Sequence, residues 1–342
     1  MNCQSKVTVV IPARNEEKWI RGCLESVLAN DYPAEYLEIL VVDGMSEDGT
    51  RIIVGDFVRR FPFIRLLDNP RRVIPTALNI GIREARGKII VRMDAHTTYA
   101  PDYIRQAVEA LETSGAAMVG AVQKPTGNTL VTHGIAAATS FPFGVGNSYY
   151  HYGKESRWLE DDSVYLGTWF KQSLTEIGGF NEKWLVNEDS ELNHRLRKSG
   201  GKILLSLKLR CSYQVRSSLR ALGRQYFRYG MWRAKTALTH PASLAWRQLV
   251  PPLFVAGLLV SLVLTWISPV LALMVPCTYL LANLLVSGFI VAQKGWRHVL
   301  VPVAFYTIHI SWGSGFLAGL VRFCLMRSRF TVGPTHAGEG SM

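Results

Sequence analysis

Charge divides this chain of 342 residues into two parts of different physical character. Between Leu192 and Gly338 there is no Asp or Glu, although 18 Lys and Arg fall in that stretch, 13 of them before Gln248. The preceding 191 residues carry 20 basic and 25 acidic side chains. We call residues 192–247, which hold these 13 cations, the basic stretch. Because apolar runs of membrane length follow it directly, this profile predicts a soluble domain anchored to an anionic membrane face. It disfavours a basic surface for nucleic acid.

Three apolar segments follow the basic stretch. The ranges 249–268 and 270–292 carry no charge over about 20 residues, which is enough to cross the ~30 Å hydrocarbon core of a bilayer. The third range, 298–320, is interrupted by His309 and by several glycines. We therefore expect the first two segments to span the membrane, while the third is either a crossing or a re-entrant or interfacial segment.

The positions of the basic residues bear on this choice. Two crossings return the chain to the cytoplasmic side at Lys294 and Arg297, in accordance with the positive-inside rule. A third crossing would export Arg322, Arg327 and Arg329. The first six residues lack the apolar core of a signal peptide. We expect a multi-pass protein of the inner (plasma) membrane whose N-terminal domain is cytoplasmic.

Short apolar runs alternate with stretches of helical periodicity in the first hundred residues. The predicted strands are 7–11, 37–42, 63–67 and 88–93, and the predicted helices are 16–28, 48–57 and 75–85. Strands that alternate with helices indicate the α/β class, with a mostly parallel sheet and helices on both faces. The sequence therefore predicts an α/β domain followed by an all-α membrane region.

Polar residues follow three of these strands at their carboxyl ends. The segment 12–16 follows the first strand, Asp43 ends the second, and Asp94 and His96 follow the fourth. Ligands of such sheets bind beyond the carboxyl ends of the strands. Three polar clusters at one edge therefore predict a binding site.

Asp94 and His96 lie two residues apart at a strand end, so both side chains can face one point. This arrangement suits Mn²⁺ or Mg²⁺ that bridges a diphosphate, with phosphate oxygens and water completing the shell. An isolated Asp-x-His is more often an ordinary turn, but the position directly after an apolar strand favours a metal site. Asp43 can accept hydrogen bonds from a nucleobase or a ribose, or it can cap the helix that follows.

These motifs, in this order, resemble the inverting family 2 glycosyltransferases, which have the Rossmann-like GT-A fold. Residues 43–46, 92–96 and 140–146 are similar to the succinoglycan-biosynthesis glucosyltransferase subgroup. That subgroup implies a membrane-bound enzyme that extends a polyprenyl-diphosphate-linked oligosaccharide. The matching segments are 12–16, 41–50, 77–82, 94–96, 178–182 and 187–189.

The resemblance implies a role for each matching residue at the sheet edge. Asp94 and His96 would hold a divalent metal and the diphosphate. This chain has His96 where the family usually has the second acid of its metal motif, and Gly44 where it usually has a second acid after Asp43. The residues that would hold the nucleotide sugar are Pro12, Ala13, Asn15, Glu16, Asp43 and Asp94.

Asp189 is the general base that the resemblance implies, and Glu188 beside it would orient the site or the acceptor. An inverting displacement needs a carboxylate opposite the leaving diphosphate, to take the proton from the acceptor hydroxyl. Acids at the start of a helix also interact favourably with its N-terminal dipole. Both interpretations can hold together for this pair.

Two further segments are assigned to the acceptor or to the diphosphate. Gly178, Gly179 and Phe180 would let the backbone approach the acceptor sugar, although a simple turn also explains the two glycines. Gln225 and Arg228 resemble a Gln-x-x-Arg-Trp motif of polysaccharide synthases, with Tyr in place of the final Trp. The same region has the pattern of an amphipathic helix at a membrane interface, which we favour as its main role.

The sequence thus predicts a metal-dependent inverting glycosyltransferase. It would move one sugar, with glucose implied by the resemblance, from a nucleotide diphosphate sugar such as a UDP-sugar. The acceptor would be a polyprenyl-diphosphate-linked saccharide in exopolysaccharide or cell-envelope glycan synthesis, and the other partners are anionic membrane lipids. The alternatives are a processive polysaccharide synthase, a polyprenyl-phosphate glycosyltransferase and a membrane-tethered nucleotide-sugar binder. The predicted regions are a cytoplasmic GT-A domain at 1–218, a basic interfacial region at 219–247, a membrane region with two to three transmembrane helices at 248–330, and a flexible tail at 331–342.

Overall fold

The computed structural model of the chain describes residues 5–146, 158–160 and 164–330. It contains two units, Met1–Arg216 and Ser217–Met342. The tail predicted at 331–342 lies outside the described residues. The part of the basic stretch that precedes the boundary at Arg216 folds within the first unit, where it includes the long strand Ile203–Gln214.

One mixed sheet forms the centre of the first unit. Along the sheet the strands are ordered β3-β2-β1-β4-β8-β6-β9-β5, and β7 also pairs with β9. Strands β1 to β4 are parallel to one another, whereas β8 enters antiparallel between β4 and β6. The described strands are β1 Val7–Ala13, β2 Leu37–Asp43, β3 Ile64–Asp68, β4 Ile89–Arg92, β5 Thr97–Tyr99, β6 Met118–Thr126, β7 Trp158–Glu160, β8 Tyr165–Phe170 and β9 Ile203–Gln214.

Helices cover both faces of this sheet, because successive side chains of a buried strand point to opposite sides. Val9 and Ile11 of β1 belong to one core with residues of α1, α2 and α4, while Val10 belongs to the other core with residues of α3 and α8. The predicted α/β class is confirmed. The helices of this unit are α1 Ile20–Leu28, α2 Thr50–Arg60, α3 Ile74–Glu84, α4 Tyr103–Ser114, α5 Leu130–Thr139, α6 Pro142–Val145, α7 Lys171–Glu176 and α8 Glu188–Lys198.

Helix α3 approaches strand β1 closely, and a glycine makes this possible. A Cβ atom at Gly81 would lie 2.3 Å from Cγ1 of Val10. Side chains this close must move, so a larger residue at position 81 would push the helix off the sheet.

The second unit is helical, as predicted for the membrane region. Its helices are α9 Leu219–Thr239, α10 Val250–Leu264, α11 Pro269–Lys294 and α12 Val301–Phe330. Among the residues of this unit that the structure describes, three segments are long and apolar enough to cross a membrane by length and composition: Trp246–Leu264, Pro269–Lys294 and Trp296–Leu325. Large apolar side chains are exposed on these helices, as expected for surfaces that face lipid.

Candidate active site

The polar segments predicted to form a site meet at one edge of the sheet. Ala13, the last residue of β1, lies opposite Asp43, the last residue of β2. On the other side of β1, Val10 lies opposite Arg92 at the end of β4, so Asp94 and His96 follow directly beyond it. The register of three parallel strands thus places these residues side by side.

Asn15 connects the segment after β1 to the turn after β2. Its backbone N–H donates to Oγ of Ser46 over 2.9 Å, and its side-chain Oδ1 accepts from the backbone N–H of Glu47 at 2.9 Å. Asn15 and Met45 both have left-handed backbone, with φ of 55° and 56°. Asn tolerates this conformation better than most residues, which explains its presence at position 15.

Asp43 lies beneath this turn and is fully buried. One carboxylate oxygen accepts from the backbone N–H of Ser46 at 2.9 Å and from Nη1 of Arg51 at 2.7 Å, and the other accepts from Oγ of Ser46 at 2.5 Å. Arg51 also binds Asp68 at 2.8 Å. Both oxygens of Asp43 therefore already accept hydrogen bonds from the protein, and the partly exposed groups next to it are the turn and Arg51.

Gly44, the glycine that stands after Asp43 in place of an acid, lies directly against the side chain of Arg14. A Cβ atom at Gly44 would lie 3.2 Å from both Cβ and Cδ of Arg14. The aliphatic part of the Arg14 side chain thus packs against Gly44, and its Nη1 donates to the carbonyl oxygen of Arg72 at 3.5 Å. A cationic side chain consequently lies beside the position where the family usually has a carboxylate.

Asp94 and His96 are both partly exposed at the sheet edge, and each is held by one protein group. Oδ1 of Asp94 accepts from Nε of Arg92 at 3.1 Å, while Nδ1 of His96 lies 3.2 Å from Oε1 of Glu16. Among the described residues, Oδ2 of Asp94 and Nε2 of His96 have no protein hydrogen-bond partner. Glu16 is itself fixed by a 2.8 Å bond from its backbone N–H to Oγ1 of Thr50.

This donor set fits a divalent cation that takes most of its ligands from a substrate. Within the described parts of the chain, no cluster of three or more His, Cys, Asp or Glu could hold a metal by itself. One carboxylate oxygen and one imidazole nitrogen remain for the metal, and a carboxylate on the other ring nitrogen is the usual way to orient a metal-binding histidine. Burial lowers the pKa of His96, but the bond to Glu16 and the charge of Asp94 outweigh burial and raise it. A metal bound by the imidazole of His96 would compete with the proton that this higher pKa favours.

Arg92 connects Asp94 of the predicted metal pair to Glu188 beside the predicted base, and the sequence motifs did not assign it a role. Its Nε donates to Asp94, and its Nη1 donates to Oε1 of Glu188 at 3.1 Å. The residue is only 8% exposed. Burial opposes its charge, but the two carboxylates outweigh burial and raise the pKa of Arg92. The feature of the sequence that indicates a role for Arg92 is its charge at the end of an otherwise apolar strand.

The predicted base stands in the first turn of α8. Asn187 precedes the helix in left-handed backbone, and Glu188 is 6% exposed. Asp189 is half-buried, and its Oδ1 accepts from the backbone N–H of Ser190 at 2.7 Å. Burial and then the charge of Glu188 raise the pKa of Asp189 to about 7, although Arg92 opposes the shift. A carboxyl group with a pKa near neutrality is suited to accept a proton.

The loop predicted to meet the acceptor is held by Asn79 of α3. The Asn79 side chain accepts from the backbone N–H of Phe180 at 2.8 Å and donates to its carbonyl at 2.9 Å. The Phe180 ring is buried and packs edge-on against Trp169, so it belongs to the core. Gly178 and Gly179 have φ of 80° and 66°, and a Cβ at Gly178 would meet no atom within 4 Å. The loop therefore offers backbone, and not this ring, to a ligand.

The other two predicted acceptor residues lie in the second unit. Gln225 and Arg228 are on α9, and Nε2 of Gln225 donates to the hydroxyl of Tyr229 at 2.7 Å. Arg228 is exposed. Their role in acceptor binding stays a prediction.

Comparison with known proteins gives consistent matches. Residues 8–170 match the family described as Glycosyl transferase family 2. The chain is 31% identical over 323 residues to the succinoglycan biosynthesis protein ExoA of Rhizobium meliloti, which covers 92% of this chain and 95% of that protein. It is 26% identical over 325 residues to a dolichyl N-acetyl-alpha-D-glucosaminyl phosphate 3-beta-D-2,3-diacetamido-2,3-dideoxy-beta-D-glucuronosyltransferase of Methanococcus voltae, with 92% and 97% covered.

Solved structures show the same fold. The mannosyltransferase PcManGT from Pyrobaculum calidifontis, in complex with GDP-Man and Mn²⁺, matches with a TM-score of 0.61 at 20% identity and covers 93% of this chain and 88% of that one. GalNAc-T7 with UDP, GalNAc and Mn²⁺ matches with a TM-score of 0.52 at 14% identity, over 71% of this chain and 52% of that one. The predicted GT-A fold is confirmed by these likenesses.

Proposed function

Because this chain belongs to glycosyltransferase family 2, we propose that it moves a single sugar from a nucleotide diphosphate sugar to a lipid-linked saccharide, with inversion at the transferred carbon. The observation that carries this proposal is the line of charged groups from Asp94 through Arg92 to Glu188 and Asp189. It joins the pair that would bind the metal to a carboxyl group whose pKa is near neutrality. Donor chemistry and acceptor chemistry thus share one sheet edge.

On the donor side, Asp94 and His96 would hold a divalent cation, which would neutralise charge on the leaving diphosphate. Glu16 keeps the imidazole of His96 in place. The turn that Asn15 and Asp43 stabilise would bind the nucleoside, and Arg51 next to it adds a cation. GDP-Man and UDP in the similar solved structures support a nucleotide diphosphate donor.

On the acceptor side, Asp189 would take the proton from the attacking hydroxyl as the new glycosidic bond forms. The oxygen of the diphosphate leaves with the electron pair of the broken bond, so one displacement inverts the carbon. Arg92 holds Glu188 and thereby the first turn of α8, which fixes the direction of Asp189. Proton transfer by a positioned side chain contributes about 10²–10⁴-fold to a rate.

The acceptor and donor identities rest on the relatives. The name of the Methanococcus voltae relative describes a dolichyl sugar phosphate as its acceptor, which supports a polyprenyl-linked saccharide here. The diphosphate of that linkage follows from the resemblance to the succinoglycan subgroup. The Rhizobium meliloti relative is named for succinoglycan biosynthesis, which supports exopolysaccharide or cell-envelope glycan as the product. Glucose follows from the resemblance to that subgroup. The apolar helices and the basic stretch support a place at the cytoplasmic face of the inner membrane.

A transfer assay tests the proposal. Detergent-purified protein is incubated with Mn²⁺, native lipid extract and a panel of radiolabelled nucleotide sugars, and label is followed into the lipid fraction. We expect label in short, lipid-extractable products from one donor. Label in long polymer would instead indicate a processive synthase, and transfer to bare polyprenyl phosphate would indicate the other alternative.

Two matched carboxamide variants locate the chemistry. Asp189→Asn should abolish transfer while Mn²⁺-dependent nucleotide binding persists, because Asp189 is the proposed base and is not among the proposed ligands of the metal or the nucleotide. Asp94→Asn should weaken that binding, because its free oxygen is one of the two predicted protein ligands. Substantial transfer by Asp189→Asn would mean that another group is the base.

A further inference from the structure

Helices α9 and α12 of the second unit are in direct backbone contact through glycines. A Cβ atom at Gly230 of α9 would lie 2.1 Å from the carbonyl oxygen of Trp312. A Cβ at Gly315 of α12 would lie 2.1 Å from that of Phe227, and one at Gly319 would lie 2.5 Å from an α9 carbonyl. Such contacts leave no space for side chains, so the two helices form one tightly packed pair.

The two helices run in the same direction along this contact. Gly223, near the start of α9, lies against Ser311, and near the other end of α9 the ammonium of Lys235 lies 5.9 Å from the ring of Phe323. Twelve residues of α9, or about 18 Å of helix, therefore accompany this part of α12. Because the helices are side by side, this part of α12 shares its membrane depth with α9.

Helix α9 carries too much charge to lie in the hydrocarbon core. Arg220, Arg224 and Arg228 are exposed along its first three turns, and Lys235 is partly exposed. Arg233 is buried and donates to Gln248 at 2.9 Å, so it is not one of the cations that would face lipid. A cationic side chain at the centre of a bilayer costs about 3 kcal/mol, and the four that are exposed or partly exposed rule out that depth. A helix with this pattern lies at the membrane surface, where its cations meet anionic headgroups.

The middle of α12 lies beside the first turn of α10, which follows the basic stretch. A Cβ atom at Gly313 would lie 2.4 Å from the carbonyl oxygen of Pro251 and 2.7 Å from Cγ2 of Val255. Further along α10, the side chains of Leu259 and Leu262 are 60% and 67% exposed. Thus α12 packs on the half of α10 that is nearest to Arg247.

We infer that α12 does not cross the membrane and that it forms with α9 a surface platform on the leaflet that Arg247 and Lys294 face. Its partner is the anionic headgroup layer, because Lys and Arg are the only side chains charged at neutral pH between Ser217 and Leu325. The inference rests on the proposed membrane placement of the second unit. It keeps the arginines at the end of α12 on the same side as α9, as the positive-inside rule requires.

The native thiol Cys324 reports the side directly. It is exposed on α12, about 34 Å of helix beyond Val301, so a full crossing would carry it to the opposite face. Cys277 is replaced with Ala and Cys3 with Ser, while the remaining two cysteines are buried. Labelling by a membrane-impermeant maleimide is then compared between sealed inverted vesicles and intact cells, with labelling in detergent as the measure of total thiol.

Two reference variants, each in the background Cys324→Ala, define the two faces. Thr239→Cys marks the end of α9, and Ile267→Cys marks the exposed connection between α10 and α11. We expect the maleimide to label Cys324 and Thr239→Cys in inverted vesicles but not in intact cells. We expect it to label Ile267→Cys in intact cells but not in inverted vesicles. Labelling of Cys324 together with Ile267→Cys, or protection of Cys324 from both sides, would overturn the inference.

The same data separate this inference from the proposed orientation. If Cys324 and Thr239→Cys label together but only from outside the cell, the platform stands and the cytoplasmic placement fails. The lipid partner is tested with an environment-sensitive dye on Cys324 in proteoliposomes with and without phosphatidylglycerol. We expect a blue shift of emission with phosphatidylglycerol that is reduced by Arg224→Gln, and equal spectra in both membranes would refute the anionic partner.

Discussion

Replacing Arg92 with Met tests whether one buried cation holds the two sides of the candidate site together. Arg92 donates to Asp94 and to Glu188 at 3.1 Å each. Met fills much of the same space without charge, so Glu188, at 6% exposure, remains as a buried carboxylate that has lost its cation. Removing one partner of a buried ion pair costs about 3–5 kcal/mol, and we expect the free energy of unfolding to fall by about that amount.

The same change should move the pH dependence of transfer. The charge of Arg92 lowers the pKa of Asp189, which burial and Glu188 raise to about 7. A base acts when deprotonated, so wild-type activity should rise with pH through about 7, and in Arg92→Met the rise should occur at higher pH. Each unit of pKa shift is about 1.4 kcal/mol, so activity below the transition falls about tenfold per unit. The assay is kcat/KM for transfer, measured between about pH 5 and 9.

Arg65→Met is the matched control. Arg65 also bridges two carboxylates, Glu38 at 3.2 Å and Glu84 at 2.8 Å, but near the starts of the strands. It should lower stability and leave the pH profile of transfer in place. An Arg92→Met enzyme with the wild-type pH profile would refute the idea that Arg92 tunes the base.

Glu16→Gln should weaken Mn²⁺ binding by about 10–100-fold, because the carboxylate that orients His96 is lost. Calorimetric titration of Mn²⁺ in the presence of UDP measures this, and an unchanged affinity would place the cation elsewhere. Gly81→Ala should lower the free energy of unfolding by about 1–3 kcal/mol, because the new Cβ would lie 2.3 Å from Cγ1 of Val10. Urea denaturation compares it with Gly22→Ala, a helical position with no atom within 4 Å of the new Cβ, and equal stability of the two variants would contradict the close contact.

Strands β1 to β4 could be predicted because buried parallel strands are short apolar runs that end in polar residues. The rest of the sheet could not be predicted in this way. Strand β9 carries Lys208 and Arg210 within the basic stretch, and the sequence pattern indicated no strand there, whereas it pairs with β6 and β5. The strands β6 and β5 lie about 85 to 115 residues before β9 along the chain, and periodicity carries no information over that distance.

In the candidate site, too, some features could be predicted from the sequence and others could not. The register of parallel strands brings Ala13, Asp43 and Asp94 to one edge, and the positions of these residues after apolar runs were enough to predict that meeting. The burial of Phe180 in the core was not evident, because its ring packs on Trp169 of a strand that the sequence pattern did not predict.

The sequence alone determined the class of the fold, the edge where polar residues gather and the position of the long apolar segments after the α/β domain. These depend on periodicity, strand order and charge, which are local properties of the chain. Only the tertiary structure decided that Arg92 reaches Glu188, 96 residues away, and that the glycines of α12 lie against α9. Such contacts depend on which surfaces meet after folding, and a buried charge or a glycine in a helix acquires its role only when its neighbour is in place.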